Sequence, residues 1–146
     1  MKDLKKIIKT KLQEAVGLGV MIQSLGGNEE TVNAVKSALG KTIETVKLED
    51  NELIFNFTDG TGLKMFDNGQ SSNEYRYMRT DDDLSDFEGA TLLDFELKDG
   101  PHMEDEYGEH EVQFLDVKTS NGVFQMANHN EHNGYYGVFW IVARSF

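Results

Sequence analysis

The stretch LIFNFTDGTGLKM, residues 53–65, decides the fold class. Leu53, Phe55 and Phe57 alternate with Ile54, Asn56 and Thr58, the period-two pattern of a strand with one buried face. Asp59-Gly60 interrupts the pattern, and glycine supplies the positive φ that a primed hairpin turn needs. Leu63 and Met65 then resume it. The segment predicts an antiparallel hairpin.

On its N-terminal side, KTIETVKL (41–48) alternates imperfectly, with Ile43 on one face and Val46 and Leu48 on the other, before the turn EDNE. Two helices are expected before that. In residues 3–16, Leu4, Ile7, Ile8, Leu12, Ala15 and Val16 recur at spacings of three and four, with lysines opposite. This stripe seats on the sheet or, alternatively, on a second subunit in a homodimer. Gly17, Gly19 and Leu25-Gly26-Gly27 end the segment. NEETVNAVKSALG (28–40) has Asn28 as N-cap, Glu29 and Glu30 in the first turn, and Gly40 past the end. Val32, Val35 and Leu39 are its expected buried stripe.

On the C-terminal side, EYRYMR (74–79) reads as a strand. TDDDLSDFEG (80–89) reads as a short helix capped by Thr80 or Asp81 and stopped by Gly89. Leu93, Phe95 and Leu97 alternate through 91–98, and KDGPHMEDEYGE (98–109) reads as a polar loop. A strand at 111–118 and the turn SNG (120–122) lead into VFQMA. NHNEHNG (128–134) reads as a loop before a last strand starting near Tyr135. The expected fold class is α+β: two N-terminal helices, then a mainly antiparallel sheet of six to eight short strands with one short inserted helix. The division is a helical extension over 1–39 and a sheet-rich core over 40–146, in one compact unit.

A chain of 146 residues fits one domain and buries roughly 70% of its unfolded surface. Fifteen aromatic side chains supply a core. There is no cysteine, which excludes disulfides and thiolate metal sites. No apolar run approaches the roughly 20 residues of a membrane span, and MKDLKKIIKTK lacks the apolar stretch of a signal peptide. A cytoplasmic location and no membrane partner are the expectations. The net charge is −12. Residues 1–48 balance to +3 and residues 49–146 to −15. That field repels phosphates, so direct nucleic-acid binding is not expected, whereas a basic protein surface is attracted.

Chemical signatures are sparse. His102, His110, His129 and His132 lie within 31 residues, among Glu104, Asp105, Glu106, Glu109 and Glu131. The inventory suits zinc, but His129-Asn130-Glu131-His132 is not the helical HExxH spacing, and a polar turn is favoured over a metal site. The acidic runs lack the EF-hand pattern. No GxSxG elbow is present, and GLGVMIQSLGG lacks the lysine-serine end of a phosphate loop. No catalytic residue, metal or cofactor is assigned.

Several segments together resemble a family of small domains of unknown function common in bacteriophages and their bacterial hosts. They are GKTIETV (40–46), LIFNFTDGTGLKMFDNGQ (53–70), EYRYMRTDDDL (74–84), GATLLDFEL (89–97), EDEYGEHEVQFLDVKTSNG (104–122) and NHNEHNGYYGVFWI (128–141). The resemblance implies a viral or mobile-element origin and a compact sheet-rich fold, and it brings no activity. The cysteine pair that members often carry after the glutamine matching Gln70 is replaced by Ser71-Ser72-Asn73. The expectation is a non-enzymatic accessory protein that binds a host macromolecule in the bacterial cytoplasm. Its form is an acidic nucleic-acid mimic acting on a host defence, with Asp81, Asp82, Asp83, Glu104, Asp105, Glu106 and Tyr107 as the binding surface. The alternative is a small-ligand or nucleotide-derivative binding domain, or a hydrolase. Its pocket would be built from Gln70, Tyr75, Asn130, His132, Asn133, Tyr135 and Tyr136.

Overall fold

The computed structural model describes residues 29–105, 108–133 and 139–146. Among these residues are one α-helix, α1 (Glu29–Ala38), and eight strands. These are β1 (Ile43–Glu49), β2 (Glu52–Phe57), β3 (Gly62–Asp67), β4 (Glu74–Arg79), β5 (Leu92–Asp105), β6 (Gly108–Thr119), β7 (Gly122–His132) and β8 (Ile141–Ser145). They form two antiparallel four-stranded sheets, ordered β1-β2-β3-β8 and β4-β7-β6-β5.

This corrects the expected α+β class. The described residues are mostly β, with one helix rather than two and two sheets rather than one. The helix expected over 3–16 lies outside the described residues, as does Asn28. The inserted helix is a single 3-10 turn, Leu84–Phe87, and its cap is Asp83 rather than Thr80 or Asp81. Of the two segments expected as polar loops, residues 98–105, 108–109 and 128–132 are instead the ends of β5, β6 and β7. Away from a bulge between Asp99 and His102 their residues alternate as strands do, and composition hid it because both faces there are largely polar.

The β2–β3 hairpin forms as its sequence dictates, with Gly60 at φ 87° and Phe57 N donating to Thr61 O at 2.8 Å. Asp50 and Asn51 close β1–β2 with φ of 51° and 60°, the left-handed pair of a type I′ turn. Leu53, Phe55, Phe57, Leu63 and Met65 face Phe95, Leu115, Val117, Phe124 and Met126 of the other sheet, and all are buried. The Phe55 ring meets that of Phe95 edge-on at 5.9 Å. Each such side chain contributes about 1.5–3 kcal/mol by leaving water. At one corner the sheets are stitched together by Ile43 N to Ala90 O (2.8 Å) and Leu92 N to Lys41 O (2.9 Å).

Helix α1 packs on β8 and β3. Its buried residues are Thr31, Ala34, Val35 and Ala38, with Val32 and Leu39 partly buried beside them. The Thr31 hydroxyl accepts from Ala143 N at 3.1 Å, so the helix satisfies part of the free edge of β8. No described helix is long and apolar enough to cross a membrane.

One irregularity decides what the far end of the second sheet presents. The β5–β6 register slips between Asp99 and His102. The one-residue bulge resets side-chain parity, so His102 and Glu104 share a face with Leu97 and Phe95. Pro101 sits at the bulge, where a missing N–H is tolerated. Gly100 approaches the Val112 carbonyl so closely that an added Cβ would lie 2.7 Å from its oxygen.

Gly100→Ala should therefore cost about 1–3 kcal/mol in urea denaturation, because the obstacle is backbone. A second expectation concerns acid. Asp59 accepts from Thr61 N (3.0 Å) and Oγ (2.6 Å). With the Thr61 hydroxyl as the main cause, these bonds and Lys41 lower its pKa from 3.8 to about 2. A depressed carboxylate stabilises the fold above its unfolded pKa and loses that contribution as pH falls through the folded one. The melting-temperature gap between wild type and Asp59→Ala should thus be full above pH 3.8 and shrink toward pH 2.

Candidate functional site

Strand β7 lies between β4 and β6, and its inner face reads Phe124, Met126, Asn128, Asn130, His132. The face turns from apolar to polar while remaining buried. The neighbouring strands change with it, row by row. Leu97, Leu115 and Met126 form an apolar row. Asp99, Gln113, Asn128 and Met78 form the next. His102, Glu111, Asn130 and Arg76 follow, and Glu104, Glu109, His132 and Glu74 complete the end.

Arg76 anchors this polar half. Its guanidinium donates to Asp67, with Nη1 3.0 Å from both oxygens, and to Glu74 Oε2. Ser71 Oγ (2.8 Å) and Asn130 Nδ2 (3.1 Å) also donate to Glu74. Burial opposes the Glu74 charge, but the bonds from Arg76, Ser71 and Asn130 outweigh it and hold the carboxyl below its ordinary value. Five buried side-chain atoms have no hydrogen-bond partner among the described residues: Arg76 Nε, Gln113 Oε1, both amide atoms of Asn128, and Asn130 Oδ1. Such atoms are costly in a dry interior.

Further along, histidines and glutamates cross-pair. His102 Nε2 lies 2.6 Å from Glu109 Oε1, and His132 Nε2 lies 2.7 Å from Glu111 Oε2. A cleft of about 520 Å³ wraps this end of the sheet, lined by Glu74, Tyr75, Glu104, Glu109, His132 and Asn133 among others.

The outer face of the same sheet is different. Tyr77 stacks on His129 with centroids 4.5 Å apart and planes within 6°, and donates its hydroxyl to Glu131 at 2.5 Å. Burial first, then Glu131, pushes the phenol up to about 12. His129 Nδ1 is 2.9 Å from His110 Nε2; burial, with His110 and Arg79 nearby, lowers the His129 pKa. Alongside runs a groove of about 750 Å³, floored by Val112, Phe114, Val123 and Ala127 and edged by Asp81 and Asp82.

The structure sorts the residues expected from sequence. Asp83 caps the 3-10 turn, accepting from Ser85 N, and Asp82 accepts from Gln125 N at 2.8 Å while edging the groove. Glu104 stands opposite Glu109 and Asp105 opposite Gly108. Glu106, Tyr107, Tyr135 and Tyr136 lie outside the described residues. Gln70 clasps backbone, donating to Ser71 O and Glu74 O and accepting from Arg76 N. Tyr75, His132 and Asn133 meet at the cleft, but Tyr75 pairs with Glu131 on the outer face, opposite to Asn130. Sequence reasoning missed Asp67, Glu74, Arg76, Glu111 and Asn128. For Glu111 and Asn128 the signal was alternation of polar residues alone, in E-x-E at 109–111 and N-x-N-x-H at 128–132.

Residues 36–142 match the model of a domain of unknown function, DUF7448. Neither a curated protein nor a solved structure matches the chain. The chain belongs to the DUF7448 family.

Removing Arg76 leaves two buried carboxylates facing each other without a cation. Arg76→Met should cost about 3–5 kcal/mol in urea denaturation, and adding Glu74→Gln should recover part of it. Equal losses in the single and double variants would show that the loss is one of packing, not charge.

Proposed function

We propose that this chain, whose family carries no assigned activity, is a non-catalytic binding domain that seats a protein partner on the outer face of its second sheet. One observation carries the reading. The outer groove exposes apolar side chains that a solvated sheet face ordinarily lacks. Val123 is 53% exposed and Met103 46%, with Tyr75 at 58% nearby. Apolar surface of this kind, bordered by charge, is characteristic of interaction sites. Asp81 and Asp82 at the edge, on a chain of net charge −12, favour a partner with a basic surface.

The virus-associated resemblance supports the finer form of the proposal. The partner is a host protein in the bacterial cytoplasm, and the acidic surface competes with nucleic acid for a defence protein's basic site. The unpartnered polar atoms of Arg76, Gln113, Asn128 and Asn130 favour a second reading, a small polar ligand held at the inner face.

The test compares capture from host lysate by wild type, Val123→Asp, Asp81→Asn/Asp82→Asn and Asn130→Asp, followed by kinetics with the purified partner. Val123→Asp should weaken binding about tenfold or more, as loss of a central apolar contact does. The double Asn variant should slow association and flatten its salt dependence. Loss confined to Asn130→Asp, with no salt effect, would replace this reading with the inner-face ligand.

A further inference from the structure

We propose that His102, Glu109 and Glu111 bind a divalent first-row transition ion, with zinc as the reference case, and that His132 positions Glu111 from the interior. One ligand atom from each of the three residues lies within 4.8 Å of the others. The contact between His102 and Glu109 is 2.6 Å. Around a tetrahedral zinc with bonds of about 2.0–2.1 Å, neighbouring ligand atoms stand about 3.3 Å apart. Side-chain rotation of under an ångström opens that contact enough, and His102 and both glutamates are partly exposed, so they are free to make it. One imidazole and two carboxylates suit zinc, manganese or ferrous iron rather than magnesium or calcium, which prefer oxygen alone. Three protein ligands leave a further position for water.

Three observations separate this cluster from an ordinary acidic surface. On the other face of the same strands, acids are matched by lysines: Lys98 with Asp116 at 2.7 Å and Lys118 with Glu96 at 3.0 Å. On this face Glu104 stands opposite Glu109, with Glu111 two residues along. Among the described residues, Glu109 and Glu111 have only histidines as ion-pair partners, while Arg76 is committed to Asp67 and Glu74. Like charges facing across strands repel, and a divalent ion relieves them. Second, His132 has a side chain 1% exposed and holds Glu111 Oε2 at 2.7 Å. That is the arrangement by which outer partners fix ligating carboxylates. Third, Asn130 stands beside Glu111 in the register, is fully buried, and its Oδ1 accepts no hydrogen bond.

The spacing of His129 and His132 does not bear on these ligands, which lie on β5 and β6. In a hairpin, the bulge at Gly100-Pro101 brings His102 level with Glu111. The proposal is independent of docking on the outer face, and each stands or falls alone.

The test uses the full chain, stripped with chelator and desalted, then titrated with zinc chloride by calorimetry. One ion per chain is expected. His102→Ala and Glu109→Gln should each weaken binding by at least about 100-fold, beyond the 10–100-fold that outer partners cost, while circular dichroism shows a folded chain. His132→Gln should keep one cobalt(II) ion per chain but change its visible spectrum, which a merely structural role would not do at unchanged stoichiometry. His110→Ala, on the outer face, should bind zinc as wild type does. No saturable binding at millimolar zinc, binding unaltered in His102→Ala and Glu109→Gln, or loss only in His110→Ala would each overturn the proposal.

Discussion

Strand β7 is paired with β6 throughout and, over Ala127–His132, with β4 on its other side as well. A strand in that position has every backbone group committed, so it cannot leave the sheet where its side chains become polar. The inner face must then carry Asn128, Asn130 and His132 into the interior behind Phe124 and Met126. Neighbouring strands answer part of this polarity: Glu74, held by Arg76, accepts from Asn130 on one side, and Glu111 pairs with His132 on the other, while the Asn128 amide has no partner among the described residues. The site is a consequence of continuing the strand.

The parts of the fold set by local chemistry were legible in the sequence. The hairpin around Asp59-Gly60, the turn at Asp50-Asn51, the strand at 74–79 and the apolar halves of β5, β6 and β7 all follow from alternation and turn residues. The division into two sheets was not legible, because pairing β4 with β7 and β3 with β8 depends on contacts far apart in sequence. The ends of β5, β6 and β7 were hidden for another reason. Hydrophobic alternation marks a strand only where one face is apolar, and at 99–111 and 128–132 neither face is. The bulge added a parity change that no pattern of composition reveals.

The two faces of the second sheet offer separate chemistries on one scaffold. Outside, Met103 and Val123 stay exposed along the groove that Asp81 and Asp82 edge, and Tyr75 is exposed further along the same face. Inside, imidazoles, amides and carboxylates converge at the end of the core. Asp82 and Asp83, which looked like free surface charge in the sequence, accept hydrogen bonds from Gln125 N and Ser85 N. Both side chains stay exposed, so their charge still faces solvent, held in place by those bonds.

Everything described for the site depends on residues 128–132 being strand rather than loop. Amide hydrogen exchange by NMR reads this residue by residue. The account predicts that amides of Asn128–His132 bonded to β4 or β6 are protected like those of Phe124–Met126, and exchange far more slowly than the turn at Ser120-Asn121. Exchange of 128–132 at turn rates, beside a protected 123–127, would contradict it.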